Sequence, residues 1–484
     1  MRIQVVAAII GVITRYFALA FVLPVLLAAW DRNWWSVVAF ASSAAFAGAL
    51  GTLASWKFKA PKNFYREEAL AIVAGTWLAI AFMGAVPYSL LGLSLPDAIF
   101  ESMSGFTTTG ATILTDFTLY DRSFYLWRAM TQWFGGLGVI ALFVVVLPAL
   151  GIAGRQLFFA EASYSSGDSV APRVRQAASR VWTLYCMLTA VCCASLMVTG
   201  FPLYEAFVHS LTTLAAGGFS PNSSSIAGYQ NPGAEWVLVV FMFLAGASFP
   251  LQVRLFTKGP RELLKDDEFY FYALVCGGGA LAIAALLTGG VPSFESLRMG
   301  AFQSSSLISS TGFASTDFDK WSLATKMVLV VVMIIGGCAG SAAGGPKAIR
   351  HLLAGRHIIR EIRQVLHPRA VLPVIYSGRG LPDQAMRAVF TLVLLYVGGY
   401  FVIGAILVAG GMTPMDGFSA ALACLSNVGP GFGVVGPMGS FGTLPSWMKI
   451  LLTGTMWIGR LEILTVLALL HPDAWYRVRL RQSA

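Results

Sequence analysis

After residue 67 one pattern occurs four times, and it constrains the fold more than any other feature. A long apolar run is followed by a shorter segment of mixed polarity, then a Gly/Thr/Ser-rich loop, then a second long apolar run. The short segments fall near 95–106, 203–214, 295–309 and 415–426. A helix needs about 20 apolar residues to cross a bilayer, so segments of this length reach only part-way and read as re-entrant half-helices. The loops are Phe106-Thr107-Thr108-Thr109-Gly110-Ala111-Thr112, Ala216-Gly217-Gly218-Phe219-Ser220, Ser310-Thr311-Gly312-Phe313-Ala314 and Asn427-Val428-Gly429-Pro430-Gly431. Their aligned glycines, Gly110, Gly218, Gly312 and Gly429, are separated by 108, 94 and 117 residues. That spacing indicates a pseudo-fourfold arrangement within one chain.

Composition places this arrangement in a membrane. The 484 residues are 57% hydrophobic and only 12% charged, where soluble chains carry about 25% charged residues. Runs long enough to span occur near 4–30, 34–56, 68–92, 124–150, 179–200, 235–256, 270–290, 322–350, 386–410 and 445–470. The first two form a helix pair closed by Trp30-Asp31-Arg32-Asn33-Trp34-Trp35, with aromatic residues suited to the interface. Residues 3–30 are expected to be a retained span rather than a signal peptide, because Arg15 interrupts the run and a second span follows at once. The fold expected is an all-α integral membrane protein: an N-terminal pair (1–60) and four pore repeats (61–155, 156–262, 263–365 and 366–484).

The net charge of +10 is not a nucleic-acid surface. Of the 33 basic residues, 25 lie at the N-terminus, in the tail or in the connections between repeats, while the other connections hold few, such as Arg32, Arg122, Arg298 and Lys320. This bias assigns the rich connections to the cytoplasm. Each repeat therefore enters and leaves on one side, in agreement with re-entrant segments. Asp97, Glu101, Asp116 and Asp121 lie near the first loop, either as a cation-concentrating mouth or as ordinary surface charge. The six cysteines lack metal-ligand spacing and read as small buried hydrophobes. Five dispersed histidines and the absence of HExxH or Gly-x-Ser-x-Gly argue against an enzyme.

Four loops around one axis explain this residue choice. Irregular backbone at membrane depth is tolerated where it is buried in protein or lines water, and rings of carbonyl oxygens there can replace a cation's hydration shell. Glycine allows the left-handed backbone such a ring requires. Half-helices aim their partly negative C-terminal ends at the axis. Thr108 and Thr109 can add hydroxyl oxygens, whereas Ala216 supplies backbone alone.

Two further features lie beneath the loops. Gly336, Gly337, Gly340, Gly344 and Gly345, with Pro346, interrupt the inner helix of the third repeat. Each helix-interior glycine costs about 1 kcal/mol relative to alanine, so a break is expected, close packing through small residues being the alternative. Arg460 sits inside the apolar run from Ile450 to Leu470. A charge there faces the bundle interior or a cavity, unless it snorkels or pairs with Glu462.

These four loops, with Gln132-Trp133-Phe134-Gly135-Gly136, Gly336-Gly337-Cys338-Ala339-Gly340-Ser341, Leu366-His367-Pro368 and Gly459-Arg460-Leu461-Glu462, resemble Trk-type potassium uptake proteins of the Trk/Ktr/HKT superfamily. The N-terminal helix pair is similar to the TrkH/TrkG branch. The resemblance implies potassium uptake across a bacterial inner membrane by a homodimer with one pore per protomer. It implies K+ at Thr108, Thr109, Gly110, Ala216, Gly217, Gly218, Ser310, Thr311, Gly312, Asn427, Val428 and Gly429. It further implies an intramembrane gate at Gly336, Gly337, Gly340, Ser341, Gly344, Gly345 and Lys347, with Arg460 as an electrostatic barrier. A cytoplasmic TrkA-type ring is the implied regulator, with nucleotide (ATP/ADP or NAD) on that partner and no cofactor on this chain. In the family, serine at the first-loop glycine accompanies sodium transport, so glycine in all four loops favours potassium. A proton- or sodium-coupled symporter is the alternative mechanism. This chain departs from the family pattern at Ala215-Ala216 and in Ser341–Lys347, which family members tend to make richer in Gly and Thr.

Overall fold

The computed structural model describes residues 1–58, 65–141, 170–370 and 372–475. Lys59, Lys62, Arg155, the tail arginines and the end of the 124–150 run lie outside the described residues. The apolar runs fold as helices. α1 (Ile3–Phe17) and α2 (Val22–Trp30) form one 28-residue span through a 3-10 turn, and α3 (Trp34–Lys57) returns from an Asn33 cap. α1 and α3 meet backbone to backbone: a Cβ on Gly51 would lie 2.4 Å from Arg15 N. Close approach through small residues is how helices associate without a hydrophobic drive.

The four repeats follow in order. The first holds α4 (Arg66–Leu90), α5 (Leu95–Phe106) and α6 (Arg122–Ala141), and the second α7 (Val170–Val198), α8 (Leu203–Leu214) and α9 (Pro232–Gly246) continued by α10 (Phe249–Lys258). The third holds α11 (Asp267–Thr288), α12 (Phe294–Ile308), α13 (Leu323–Ile335) and α14 (Ala348–Leu366). The fourth holds α15 (Asp383–Ala409), α16 (Pro414–Leu425), α17 (Ser446–Leu461) and α18 (Ile463–Leu470). The half-helices α5, α8, α12 and α16 begin and end within one residue of the expected bounds. Three have side-chain N-caps: Ser94 accepts from Asp97 N, Ser293 from Ser296 N and Thr413 from Asp416 N. The inner helices α6, α9 and α13 pack on the half-helix of the next repeat, α8, α12 and α16, and α17 packs on α5. That cycle closes a pseudo-fourfold ring.

Three expectations need correction. The runs 235–256 and 445–470 are not straight spans: α9 meets α10 at 98°, and α17 meets α18 at 107°. At the first bend Gln252 Nε2 donates to Leu244 O (2.7 Å) and Ala247 O (3.2 Å), satisfying carbonyls the break exposes. Cys186 is exposed and Cys193 half-buried, so only four of the six cysteines are buried. A hairpin, β1 (Val374–Tyr376) with β2 (Arg379–Leu381), packs on α14 and adds the one sheet among the described residues. It turns through Ser377 (φ 45°) and Gly378 (φ 78°), the left-handed pair of a tight hairpin.

A buried ion pair ties the first two repeats. Arg128 on α6 meets Glu101 on α5 at 2.7 Å, donates to Ser220 O at 3.1 Å and lies 4.0 Å from the Phe219 ring centroid. Glu101 also accepts from Ile113 N at 2.9 Å and Thr112 Oγ1 at 3.1 Å. Removing one member leaves the other charged and desolvated, at about 3–5 kcal/mol. Glu101→Ala is expected to lower the thermal midpoint of the purified protein clearly, and Glu101→Ala/Arg128→Met to recover most of the loss. Equal midpoints for Glu101→Ala and the parent would contradict this account.

Candidate ion pathway

Each half-helix ends in the same way. In the first repeat Thr108 N donates to Gly105 O (2.9 Å) and Thr109 N to Ser104 O (2.8 Å). Ala216 and Gly217, Ser310 and Thr311, and Asn427 and Val428 repeat this pair of bonds, three and five residues back. It is a Schellman ending, which needs a left-handed residue just past the helix. Thr108, Ala216, Ser310 and Asn427 fill that position at φ 52°, 55°, 58° and 53°. Glycine is the usual occupant, and a non-glycine residue costs roughly 1–2 kcal/mol. Two residues later the chain turns left-handed again at Gly110, Gly218, Gly312 and Gly429, with φ 81°, 76°, 77° and 100°.

The loops close into a ring through those glycines. A Cβ on Gly110 would lie 2.1 Å from Gly217 O, on Gly218 1.9 Å from Thr311 O, on Gly312 2.0 Å from Val428 O, and on Gly429 2.6 Å from Thr109 O. Each contact runs from one repeat to the next, and the last returns to the first. Four carbonyls, each from the residue before the glycine, thus form one tier. A cavity opens above all four glycines, with Arg128 and Phe441 also in its wall.

Side chains brace the ring unequally. Thr109 Oγ1 lies 2.7 Å from Thr107 Oγ1 and accepts from Asn427 Nδ2 at 3.0 Å, and that amide also donates to Met456 O at 2.9 Å. Thr311 Oγ1 lies 2.8 Å from Ser309 Oγ. Thr108 Oγ1 and Asn427 Oδ1 are buried without a hydrogen-bond partner. The second loop is not backbone alone: Gln132 of α6 donates Nε2 to Gly217 O (2.6 Å) and accepts from Phe219 N (3.1 Å). A Cβ on Gly217 would sit 2.4 Å from the Gln132 amide carbon, so the glutamine fills the space of the missing side chain.

Beneath the ring α13 stops at Ile335, and residues 336–347 form an irregular loop rather than closely packed helix. Gly336, Gly340 and Gly345 take φ 69°, 77° and 74°, and Lys347 takes 75°. Gly344 N donates to Ser310 Oγ at 2.6 Å, and a Cβ on Gly344 would lie 2.2 Å from Ser426 O, so the loop presses on the third and fourth candidate filter loops. Cys338 N and Ala342 N donate to Gly246 O (2.8 Å) and Ala245 O (3.2 Å) at the second-repeat bend. Ser341 Oγ bonds Cys338 O at 2.6 Å, Lys347 Nζ donates to Ala343 O, and Gly337 O accepts from Ala348 N at 2.9 Å across the neck of the loop. Buried Glu268 accepts from Ala339 N (2.7 Å) and Ile349 N (3.1 Å) at the two sides of that neck. Arg460 does not pair with Glu462. Its NH1 donates to Ala342 O at 3.0 Å, with Nε and NH2 buried and unbonded, while Glu462 pairs with Arg350.

The predicted residues thus come together in two tiers: the twelve loop residues in the ring, and the glycine-rich loop with Arg460 under it. The carboxylates of the mouth separate. Glu101 is buried against Arg128, Asp97 pairs with Lys449 at 2.6 Å, and Asp121 caps α6 by accepting from Phe124 N at 3.1 Å. Neither Asp121 nor Asp116 has a counter-charge among the described residues, and Asp116 is held only by Thr118. The hydroxyl and amide of Thr118, at 2.7 and 2.8 Å, hold its carboxyl below the usual range, so it stays ionised.

Residues 36–475 match the family model for TrkH, described as a cation transport protein. This chain belongs to the TrkH family. The Trk system potassium uptake protein TrkH of Salmonella typhimurium is 31% identical over 98% of this chain and all of the relative. TrkG of Escherichia coli is 33% identical over 84% of this chain and 85% of the relative. The crystal structure of the potassium transporter TrkH from Vibrio parahaemolyticus superposes with a TM-score of 0.89 at 30% identity, covering 98% of this chain and all of that one. Membership makes this a multi-pass membrane protein, in keeping with six helices and two bent pairs, among the described residues, long and apolar enough to cross.

Sequence reasoning about this TrkH-family chain missed Gln132 as a ring residue, Glu268 at the loop neck and Glu462 as the partner of Arg350. An amide or carboxylate in or beside an apolar run is the signal that points to the first two. Gly218→Ala should be the most damaging single-methyl change in the ring, because it adds left-handed strain of about 1–2 kcal/mol to a clash with Thr311 O. Ion flux in proteoliposomes is expected to fall at least about tenfold, with Gly378→Ala in the hairpin near the parent value. Equal flux from both variants would remove the ring from the pathway.

Proposed function

We propose that this chain carries potassium into the cell through the ring of carbonyls at Thr109, Gly217, Thr311 and Val428, closed from below by the 336–347 loop and Arg460. The observation that carries the reading is the cyclic contact of each loop's glycine with the preceding carbonyl of the next loop. Oxygen tiers of that kind substitute for water around a cation. Four half-helices add their negative ends, and the unpartnered Thr108 Oγ1 and Asn427 Oδ1 are further acceptors at the same depth. Potassium is the ion favoured by glycine in all four loops and by relatives whose names specify potassium uptake. The division into an N-terminal pair and four repeats belongs to the same reading.

The loop is the obstruction in this account. It lies against the ring through Gly344 and is cross-linked by hydrogen bonds to the second and fourth repeats, so conduction requires it to move. Arg460 places a fixed positive charge under the ring, where a cation must pass. Regulation by a TrkA-type ring bearing ATP/ADP or NAD, and assembly as a homodimer, extend the reading. Helix α14 offers a surface for such contacts, with Ile358, Ile362 and Val365 exposed among the basic Arg360 and Arg363.

Potassium or 86Rb+ uptake into proteoliposomes tests the proposal. Deletion of 338–345 and Arg460→Ala should each raise uptake above the parent, and sodium should compete poorly. Unchanged uptake in both variants would falsify the gate. In a planar bilayer, discrete single-channel currents are expected; currents that vanish unless a proton or sodium gradient is imposed would instead establish coupled symport.

A further inference from the structure

The junction of α17 and α18 holds two opposite charges that do not bond to each other. Arg460 lies in the last turn of α17, where a helix C-terminus favours a cation, and Glu462 stands before the first turn of α18, where an N-terminus favours an anion. Glu462 is the single residue between the helices and takes φ 66° at the 107° bend, a left-handed conformation unfavourable for a side chain of its size. Its two charged neighbours point in different directions. Arg460 reaches the 336–347 loop at Ala342 O, and Glu462 reaches Arg350 in the first turn of α14. Arg350 also donates to Pro346 O at 3.0 Å, at the far end of the same loop. Both pair members are largely shielded, at 15% and 20% side-chain exposure, so the bond is stronger than a surface ion pair. Helix α14 starts from this point and is amphipathic, with exposed isoleucines and arginines along it.

We propose that the Arg350–Glu462 ion pair is the mechanical link by which displacement of α14 is transmitted to the fourth-repeat bend, withdrawing Arg460 from the loop. The link makes one event of two releases. When α14 moves, Arg350 draws the loop end at Pro346 and the bend at Glu462 together, and rotation at Glu462 swings Arg460 off Ala342 two residues upstream. Without the pair the bend loses its ion-pair tie to α14, and Arg460 leaves Ala342 without waiting for it. The inference rests on the reading of the loop and Arg460 as the gate.

The test is 86Rb+ uptake into proteoliposomes containing the full chain. Glu462→Gln and Arg350→Gln are each expected to raise basal uptake about threefold, and the double variant no further than either alone. The charge swap Arg350→Glu/Glu462→Arg, which keeps both charges at the site, should bring uptake back to within about twofold of the parent. In an Arg460→Ala background, Glu462→Gln should change nothing, because the group it positions is gone. If Arg460→Ala raises uptake while both pair variants stay at the parent value, the link is wrong and the gate stands. A failed swap rescue, or additivity of Glu462→Gln with Arg460→Ala, reduces the pair to a structural contact and overturns the link. If Arg460→Ala has no effect, the link falls; if deletion of 338–345 has none either, the gate itself is wrong.

Discussion

Every backbone group inside a bilayer must find a partner within the protein, and this structure is organised around the four places where helices stop before they have crossed. A half-helix ending at membrane depth exposes carbonyls that water would satisfy at a surface. Here the chain bends back on itself twice, at a left-handed residue and again two residues later; the first turn satisfies two carbonyls of each half-helix, and the carbonyl before each later glycine faces the neighbouring loop. The N-terminal pair docks on the first repeat through the aromatic packing of Phe21 on Trp127, 4.4 Å between ring centroids.

The lower tier obeys the same constraint with different means. The inner helices of the second, third and fourth repeats all break, and at each break a polar side chain takes over the hydrogen bonding: Gln252, Glu268, and the divergent pair Arg460 and Glu462. A straight inner helix would satisfy its own backbone and need none of these. Breaks at one level therefore bring backbone donors and acceptors to the axis, and the loop at 336–347 is knitted to its neighbours by them.

Much of this was legible in the residues. Half-helix bounds could be read closely because each short segment follows a long apolar run and runs into a glycine-rich loop; the Ser94, Ser293 and Thr413 caps are start signals that the structure adds. The third-repeat break announced itself through five glycines and a proline. The bend at Ser248 had Gly246 and Pro250, a helix-start residue, on its two sides, inside an otherwise nearly continuous apolar run. The one at Glu462 had only Gly459, three residues upstream and inside the helix, and the partner of Glu462, Arg350, is distant by more than a hundred residues. Gln132 was visible as a polar side chain in a span, but its role depends on lying opposite Gly217, which only the assembled ring brings about. The short hairpin at 374–381 has a Ser-Gly turn, yet three-residue strands are too brief for alternation to register.

Because the ring is drawn from one polypeptide, its four quarters are free to differ. In an assembly of identical subunits a single altered codon would rewrite every quarter of the aperture at once, and most such changes would be lost outright. Here Ala216 with its glutamine stands beside Thr108, Ser310 and Asn427, each with its own brace. On the proposed reading of the ring as the ion pathway, ion preference and conduction rate are open to adjustment in quarter steps, with three unaltered sectors holding the aperture open while the fourth is varied.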